Sequence, residues 1–118
     1  MSNEAVKIAR AFFEAMANKD IDGVMDLIAR EIGCESPNGH VEGAVAYREL
    51  HACFAPMIEK LTLESIFGDD REALLVYRAD TTTVKNAYVA DHLIVKNGKI
   101  VSDRVIYDRT PFMEQLPA

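Results

Sequence analysis

Asp91 and Asp103 have the residue type and spacing to move protons. Asp91 shares a two-residue period with Ala87, Val89, Leu93 and Val95, and Asp103 shares one with Val101, Val105 and Tyr107. Each strand therefore carries one carboxylate in an otherwise apolar row. Two carboxylates on one low-dielectric wall repel, which raises at least one pKa and keeps one acid protonated near neutral pH as a hydrogen-bond donor. Whether they meet depends on the turn at Asn97-Gly98, because a one-residue slip turns every side chain to the other face. A two-residue turn sets Asp91 opposite Arg104 and His92 opposite Asp103, so every charge is paired. A three-residue turn with Gly98 in a bulge sets Asp91 opposite Asp103 and gathers Val89, Leu93, Val101, Val105 and Tyr107 on one apolar face. The second register separates an apolar face from a mixed one more cleanly and is the one expected.

The three histidines add less. His51 falls one helical turn beyond Tyr47 and beside Phe54, where it either reaches a cavity or lies partly exposed. His92 falls on the face opposite Asp91, toward solvent or a partner subunit. No HxH or HExxH spacing occurs, so no metal site is expected. There is no GxSxG elbow and no GxGxxG or GxxxxGK[ST] phosphate loop, and neither Cys34 nor Cys53 has an activating context. Positioned carboxylates move protons unaided, so no cofactor is expected.

The elements that must position these groups follow from periodicity. From Ala5, the apolar residues Ile8, Ala9, Phe12, Phe13 and Met16 recur at helical spacing; Asp20 offers a cap to a second helix through Ile28, and residues 3–29 read as a helical hairpin. An extended piece over 32–35 leads to a Ser36-Pro37-Asn38-Gly39 loop, and a third helix over 44–55 ends at Pro56. Beyond Lys60 the period becomes two, with a Gly68-Asp69-Asp70 turn and longer strands over 72–82, 86–96 and 99–107. Helices first and an antiparallel meander afterwards indicate an α+β domain, with helices covering one face of a curved sheet. The tail over 110–118 reads as irregular.

The chain is 118 residues long, 49% apolar and 27% charged, which describes a single domain spanning residues 1–118. Its net charge of −6 disfavours nucleic acid and anionic membrane surfaces as partners. No apolar run approaches a membrane span, and two cysteines outside any CxxC pair make the cytoplasm the expected location.

The stretch Phe12-Phe13-Glu14-Ala15-Met16-Ala17-Asn18-Lys19-Asp20-Ile21-Asp22-Gly23 resembles the opening of the nuclear transport factor 2-like superfamily. Glu42-Gly43 before Ala46-Tyr47-Arg48-Glu49-Leu50, then Ala90-Asp91-His92-Leu93 and Asn97-Gly98-Lys99-Ile100-Val101, agree with it. The sequence is similar to the SnoaL-like branch and to ketosteroid isomerase. The resemblance implies a cone of bent antiparallel sheet around N-terminal helices (a cystatin-like architecture), an apolar cavity, and a homodimer across the outer sheet face. It also implies that Asp91 matches the oxyanion-hole aspartate, an acid kept neutral by an apolar site. The tyrosine of that oxyanion hole falls at Phe12, the isomerase base at Ser36, and the acid of the epoxide hydrolases and cyclases at Val105.

Three functions are therefore weighed. The first is a cofactor-free isomerase, cyclase or hydratase type of enzyme acting on a small apolar molecule. Asp91 would be its acid or oxyanion donor, Asp103 its base and His51 an auxiliary group, with Phe12, Met16, Ser36, Phe54, Val89, Val105 and Tyr107 around the ligand. The second is a binding protein that encloses such a molecule without chemistry, in keeping with Phe12, Ser36 and Val105 at positions where the family has a donor or acid. The third is an assembly domain that uses Tyr88, Ile94, Ile100 and Ile106 on the outer face.

Overall fold

The computed structural model describes residues 3–114. Helix α1 (Glu4–Ala17) buries Ala5, Ala9, Phe12, Phe13 and Met16 on one face. A distant turn holds its first residues: the Glu4 amide donates to Asp70 Oδ1 at 3.1 Å, and the Ala5 amide to the Asp69 carbonyl at 3.1 Å. Asp20 then caps helix α2 (Ile21–Met25) by accepting the Gly23 amide at 2.9 Å. A Cβ at Gly23 would fall 2.4 Å from Asp20 Oδ2, so any larger residue there would push the capping carboxylate aside.

The helical hairpin is shorter than expected. Helix α2 stops at Met25, and Ile28, expected to be helical, opens strand β1 (Ile28–Ser36). The Leu27 carbonyl accepts the Ile100 amide at 2.8 Å and Ile28 is buried, so pairing with a distant strand overrides the local helical period. Strand β1 turns at Pro37-Asn38 into β2 (Gly39–Glu42), extending the expected short piece into a hairpin. Helix α3 (Ala44–Phe54) buries Tyr47 and His51 one turn apart, and a 3-10 turn (Ala55–Met57) containing Pro56 ends it.

Strands β3 (Ile58–Gly68), β4 (Glu72–Thr81), β5 (Ala87–Lys96) and β6 (Lys99–Tyr107) form the meander. The six strands lie in the order β2-β1-β6-β5-β4-β3. All neighbours are antiparallel except β1 and β6, which run parallel, so the sheet is neither confined to the C-terminal half nor wholly antiparallel. It is curved and unclosed, and the N-terminal helices pack against it in an α+β arrangement. Along β4 the buried residues Ala73, Leu75, Tyr77, Ala79 and Thr81 alternate with more exposed ones, which marks the inner face.

Within the tail expected to be irregular, Thr110–Glu114 forms a short helix, α4, where the Phe112 and Met113 amides both donate to the Arg109 carbonyl. Residues 115–118 of that tail lie outside the described residues. No helix among the described residues is long and apolar enough to cross a membrane.

Candidate functional site

The β5-β6 hairpin follows neither register considered from sequence. Lys96 pairs with Lys99 around a two-residue turn in which Asn97 (φ +53°) and Gly98 (φ +76°) are both left-handed, the conformation that Asn-Gly favours in tight hairpins. Val95 pairs with Ile100 but Ile94 pairs with Ser102, so Val101 is an extra residue bulged out of the ladder. Beyond it Leu93 faces Asp103, His92 faces Arg104 and Asp91 faces Val105.

The two aspartates are therefore not opposite each other. They are diagonal neighbours on one face, each only 2% exposed. The bulge also changes the phase of β6 near the turn: Ile100, expected outside, is fully buried, and Val101, expected on the inner row, is only half-buried.

Two tyrosines flank the pair. The Tyr77 hydroxyl, on β4, donates to Asp91 Oδ1 at 2.8 Å, and the Tyr47 hydroxyl, on α3, donates to Asp103 Oδ2 at 2.7 Å. Burial raises the pKa of both phenols, which keeps them protonated as donors. The carboxyls lie within hydrogen-bonding reach of each other, and a bond between them needs a proton. With both ionised, Asp103 Oδ1 would be buried with no partner.

The electrostatics supply that proton. Burial pushes Asp103 well above the ordinary carboxylate range, and the Asp91 charge and a hydrogen bond to Asp91 push it further. Burial also raises Asp91, but there hydrogen bonds from Asp103 and Tyr77 oppose the shift. Asp103 thus holds the proton and donates it toward Asp91. Asp91 also lines the cavity above, so its carboxylate is within reach of a bound molecule as well as of Tyr77 and Asp103.

That cavity has a volume of about 410 Å³, within the range of small-molecule sites. Its floor is the inner sheet face, with Tyr77, Ala79, Thr81, Val89, Asp91, Asp103, Val105 and Tyr107. Leu50, His51, Cys53 and Phe54 of α3, with Met16 of α1 and Met57, form the walls. Ser36 and Asn38 of the β1-β2 turn and Arg109, Phe112 and Met113 around α4 complete the lining. The structure thus gathers every expected site residue except Phe12. Phe12 is fully buried and absent from the lining; its ring packs edge-on against His51 with centroids 5.8 Å apart, so it supports the wall from behind.

Reading the sequence missed Tyr77 and passed over Tyr47 as an apolar helix position. The available signal was chemical, since a buried tyrosine needs a partner for its hydroxyl, and the inner rows hold two buried carboxyls. Cys34 pairs with Asp103 across β1 and β6; burial and the nearby carboxylates push its thiol up to about 12, which makes it no nucleophile. His92 shares a 2.7 Å contact with Glu72, away from the cavity. Among the described residues, no group of three or more His, Cys, Asp or Glu side chains is placed to hold a metal ion.

An unclosed curved sheet roofed by helices, with buried carboxyls on the floor of an apolar cavity, defines an α+β cavity protein. The chain belongs to the SnoaL-like domain family, whose model matches residues 9–103. A protein of known crystal structure from Kribbella flavida DSM 17836 is 37% identical, with a TM-score of 0.93 over 97% of this chain and 94% of that one. A nuclear transport factor 2-like protein of unknown function from Cytophaga hutchinsonii ATCC 33406 is 16% identical, with a TM-score of 0.81 over 96% and 97%. A candidate ketosteroid isomerase from Kribbella flavida DSM 17836 is 17% identical, with a TM-score of 0.80 over 98% and 91%. The latter two share the fold. No curated protein matches the sequence.

Proposed function

We propose that the cavity binds a small, largely apolar molecule and that the aspartate pair moves a proton on it without a cofactor, an isomerase-type activity. The observation that carries this reading is the chain Tyr77, Asp91, Asp103, Tyr47, whose Asp91 carboxyl lines the cavity. Asp91, ionised, is the base: its raised pKa makes it more basic than an ordinary carboxylate. A C–H proton next to a carbonyl passes to the Asp91 carboxylate while the C–H electron pair shifts to form an enolate. Returning the proton to another carbon completes the isomerisation. Asp103 keeps its own proton throughout and acts by holding Asp91. The family resemblance to ketosteroid isomerase supports the same class of chemistry. The acids that relatives carry at Ser36 and Val105 are absent here, so the reaction rests on this pair alone.

The test is deuterium exchange at the α-carbons of 2-tetralone, followed by NMR in D₂O. The protein should accelerate exchange over an equal concentration of acetate, and Asp91→Asn should lose roughly a hundredfold or more of that rate. Binding of 2-tetralone with no acceleration would overturn the enzymatic reading and leave a binding protein.

A further inference from the structure

The Asp91-Asp103 pair brings one negative charge to the cavity floor, and the protein supplies no cation to match it. Among the described residues neither carboxyl forms an ion pair, and what favours their ionised forms is hydrogen bonding from Tyr47, Tyr77 and Asp103. Arg109, the one residue of the described lining with a permanent positive charge, is exposed to solvent and acts on neither carboxyl. Folding has already taken the carboxylate out of water, so a cation that meets it gives up only its own hydration.

A second group is unmet on the wall. His51 is 8% exposed and lines the cavity, yet no protein group among the described residues hydrogen-bonds its ring. Its neighbours are rings, Phe12 edge-on at 5.8 Å and Tyr47 tilted at 4.7 Å. Burial keeps the imidazole neutral at pH 7, so it retains a lone pair that can accept. The donors nearby are already used. The Tyr77 hydroxyl goes to Asp91, the Thr81 hydroxyl to the Val84 carbonyl, the Ser36 hydroxyl to the Gly39 carbonyl, and the Asn38 side-chain amide to the Tyr107 hydroxyl. Phe54, Tyr77, Tyr107 and Phe112 line the same space, and an aromatic face attracts a cation that meets it.

We infer that the cavity takes an apolar primary amine as its ammonium ion, with one N–H donated to the Asp91 carboxylate, another to the His51 ring, and the hydrocarbon body against the aromatic walls. Charge selects this class: a ketone or a hydrocarbon leaves Asp91 without a counter-ion, and an alcohol brings one donor but no charge. An ammonium has three N–H donors and no acceptor, which complements a carboxylate and a lone pair and asks nothing of the donors already used. The bound amine occupies the base, so it competes with the proton transfer proposed above and does not undergo it. The inference shares with that reading only the premise that the cavity is a ligand site.

Three probes of one shape separate the outcomes: 2-aminotetralin, a cation at pH 7; 2-methyltetralin, which is neutral; and tetralin-2-carboxylic acid, an anion. Calorimetric titration should show the wild type binding the amine about tenfold or more tightly than the hydrocarbon, with the acid weakest. Asp91→Asn, which still accepts from Tyr77, should lose that preference while binding 2-methyltetralin, and binding of the hydrocarbon also shows that the variant is folded. Asp103→Asn, which replaces the protonated acid and leaves the charge on Asp91, should keep the preference. His51→Leu should keep part of it. An unchanged preference in Asp91→Asn, its loss in Asp103→Asn, or a wild type that favours the hydrocarbon overturns the amine assignment while the cavity reading stands. A wild type that favours the acid overturns it as well and gives the polar end of the ligand to Arg109. Failure of all three probes to bind the wild type overturns the cavity reading and this inference with it. Absence of 2-tetralone exchange, which overturns the isomerase reading, leaves the amine assignment standing.

Discussion

Tyr47 and Asp103, 56 residues apart in sequence, are joined by a buried 2.7 Å hydrogen bond from the phenol to Oδ2. The bond ties helix α3 to the last strand. It also fixes which edge of the Asp103 carboxyl turns toward Asp91, because one oxygen is taken and the other is left. Tyr47→Phe keeps the ring and removes the donor, so it should destabilise the protein by about 1–3 kcal/mol at pH 7 in urea unfolding. Tyr77→Phe should do the same and also raise the pKa of Asp91, because a bond that favours its ionised form is lost. Unchanged stability in both variants would argue against the four-residue chain.

Asp103→Asn isolates the charge from the hydrogen bonds. The amide accepts from Tyr47 and donates to Asp91, so the connections survive while the titrating proton is replaced by a fixed one. Because the folded pKa of Asp103 lies above its unfolded value, the native state binds the proton more tightly. The contribution of Asp103 to stability is thus fully present below an unfolded pKa of about 3.9 and declines as pH rises toward the folded value. Asp103→Asn should match wild type at pH 4 and exceed it at pH 8, a tenfold difference in proton affinity being worth about 1.4 kcal/mol. A variant less stable than wild type at pH 8 would show that the pair is not held by a shared proton.

His51 gives the opposite slope. Burial lowers its pKa from 6.5 to about 4, so the unfolded chain takes up a proton between these values while the native state does not. Its contribution is present above pH 6.5 and lost as pH falls toward 4, by an amount approaching about 3 kcal/mol. Replacing His51 with leucine should flatten the stability profile in that window. Thermal unfolding of both proteins at pH 4.5 and 7.5 measures it, and a parallel pair of profiles would mean that His51 titrates normally.

The outer sheet face carries exposed Leu74, Tyr88 and Ile106, with Phe67 at its β3 margin. Ile100, expected there, is in the core, but the remaining residues still make an apolar surface of the kind that two copies could share. Sedimentation at micromolar concentration should give a dimer, and Tyr88→Glu with Ile106→Glu should give a folded monomer. A monomeric wild type would remove the proposed homodimer.

The sequence was most legible where local periodicity and long-range pairing agreed. Helix α1, helix α3 and the last three strands lie within one or two residues of their expected bounds. It misled at Ile28, whose helical spacing lost to pairing with β6, and at the parallel β1-β6 contact, which no local pattern encodes. Asp91 and Asp103 were legible as candidates because a charge in an apolar row is conspicuous. Tyr47 and Tyr77 were not, because a tyrosine in such a row looks like ordinary core until the partner of its hydroxyl is known. Phe12 was expected in the cavity wall because it lies on the apolar face of its helix, which does not distinguish the cavity side from the packed side.

The Val101 bulge supplies the last test, since it reconciles a two-residue turn with two inward aspartates. Before the bulge, Lys96 to Lys99 and Val95 to Ile100 keep the register of the tight turn; after it, Ile94 to Ser102 and Leu93 to Asp103 are offset by one residue. Deleting Val101 removes the residue without a partner and leaves each of these pairs in place, with Ile100 and Asp103 still inward. The deletion should therefore fold with Asp103 buried, keep the stability profile of a raised carboxyl pKa, and lose mainly the extra local twist. Deleting Ser102 and retaining Val101 should give the same pairs, because either residue can occupy the place opposite Ile94. Substituting Gly98 by alanine tests the turn instead: its φ of +76° disfavours a side chain, and a destabilisation of about 1 kcal/mol should leave the Asp103 profile unchanged. If deleting Val101 turned Asp103 outward, its NMR-measured pKa would fall to the ordinary carboxylate range, and the bulge rather than the inner-face packing would be what holds the pair together.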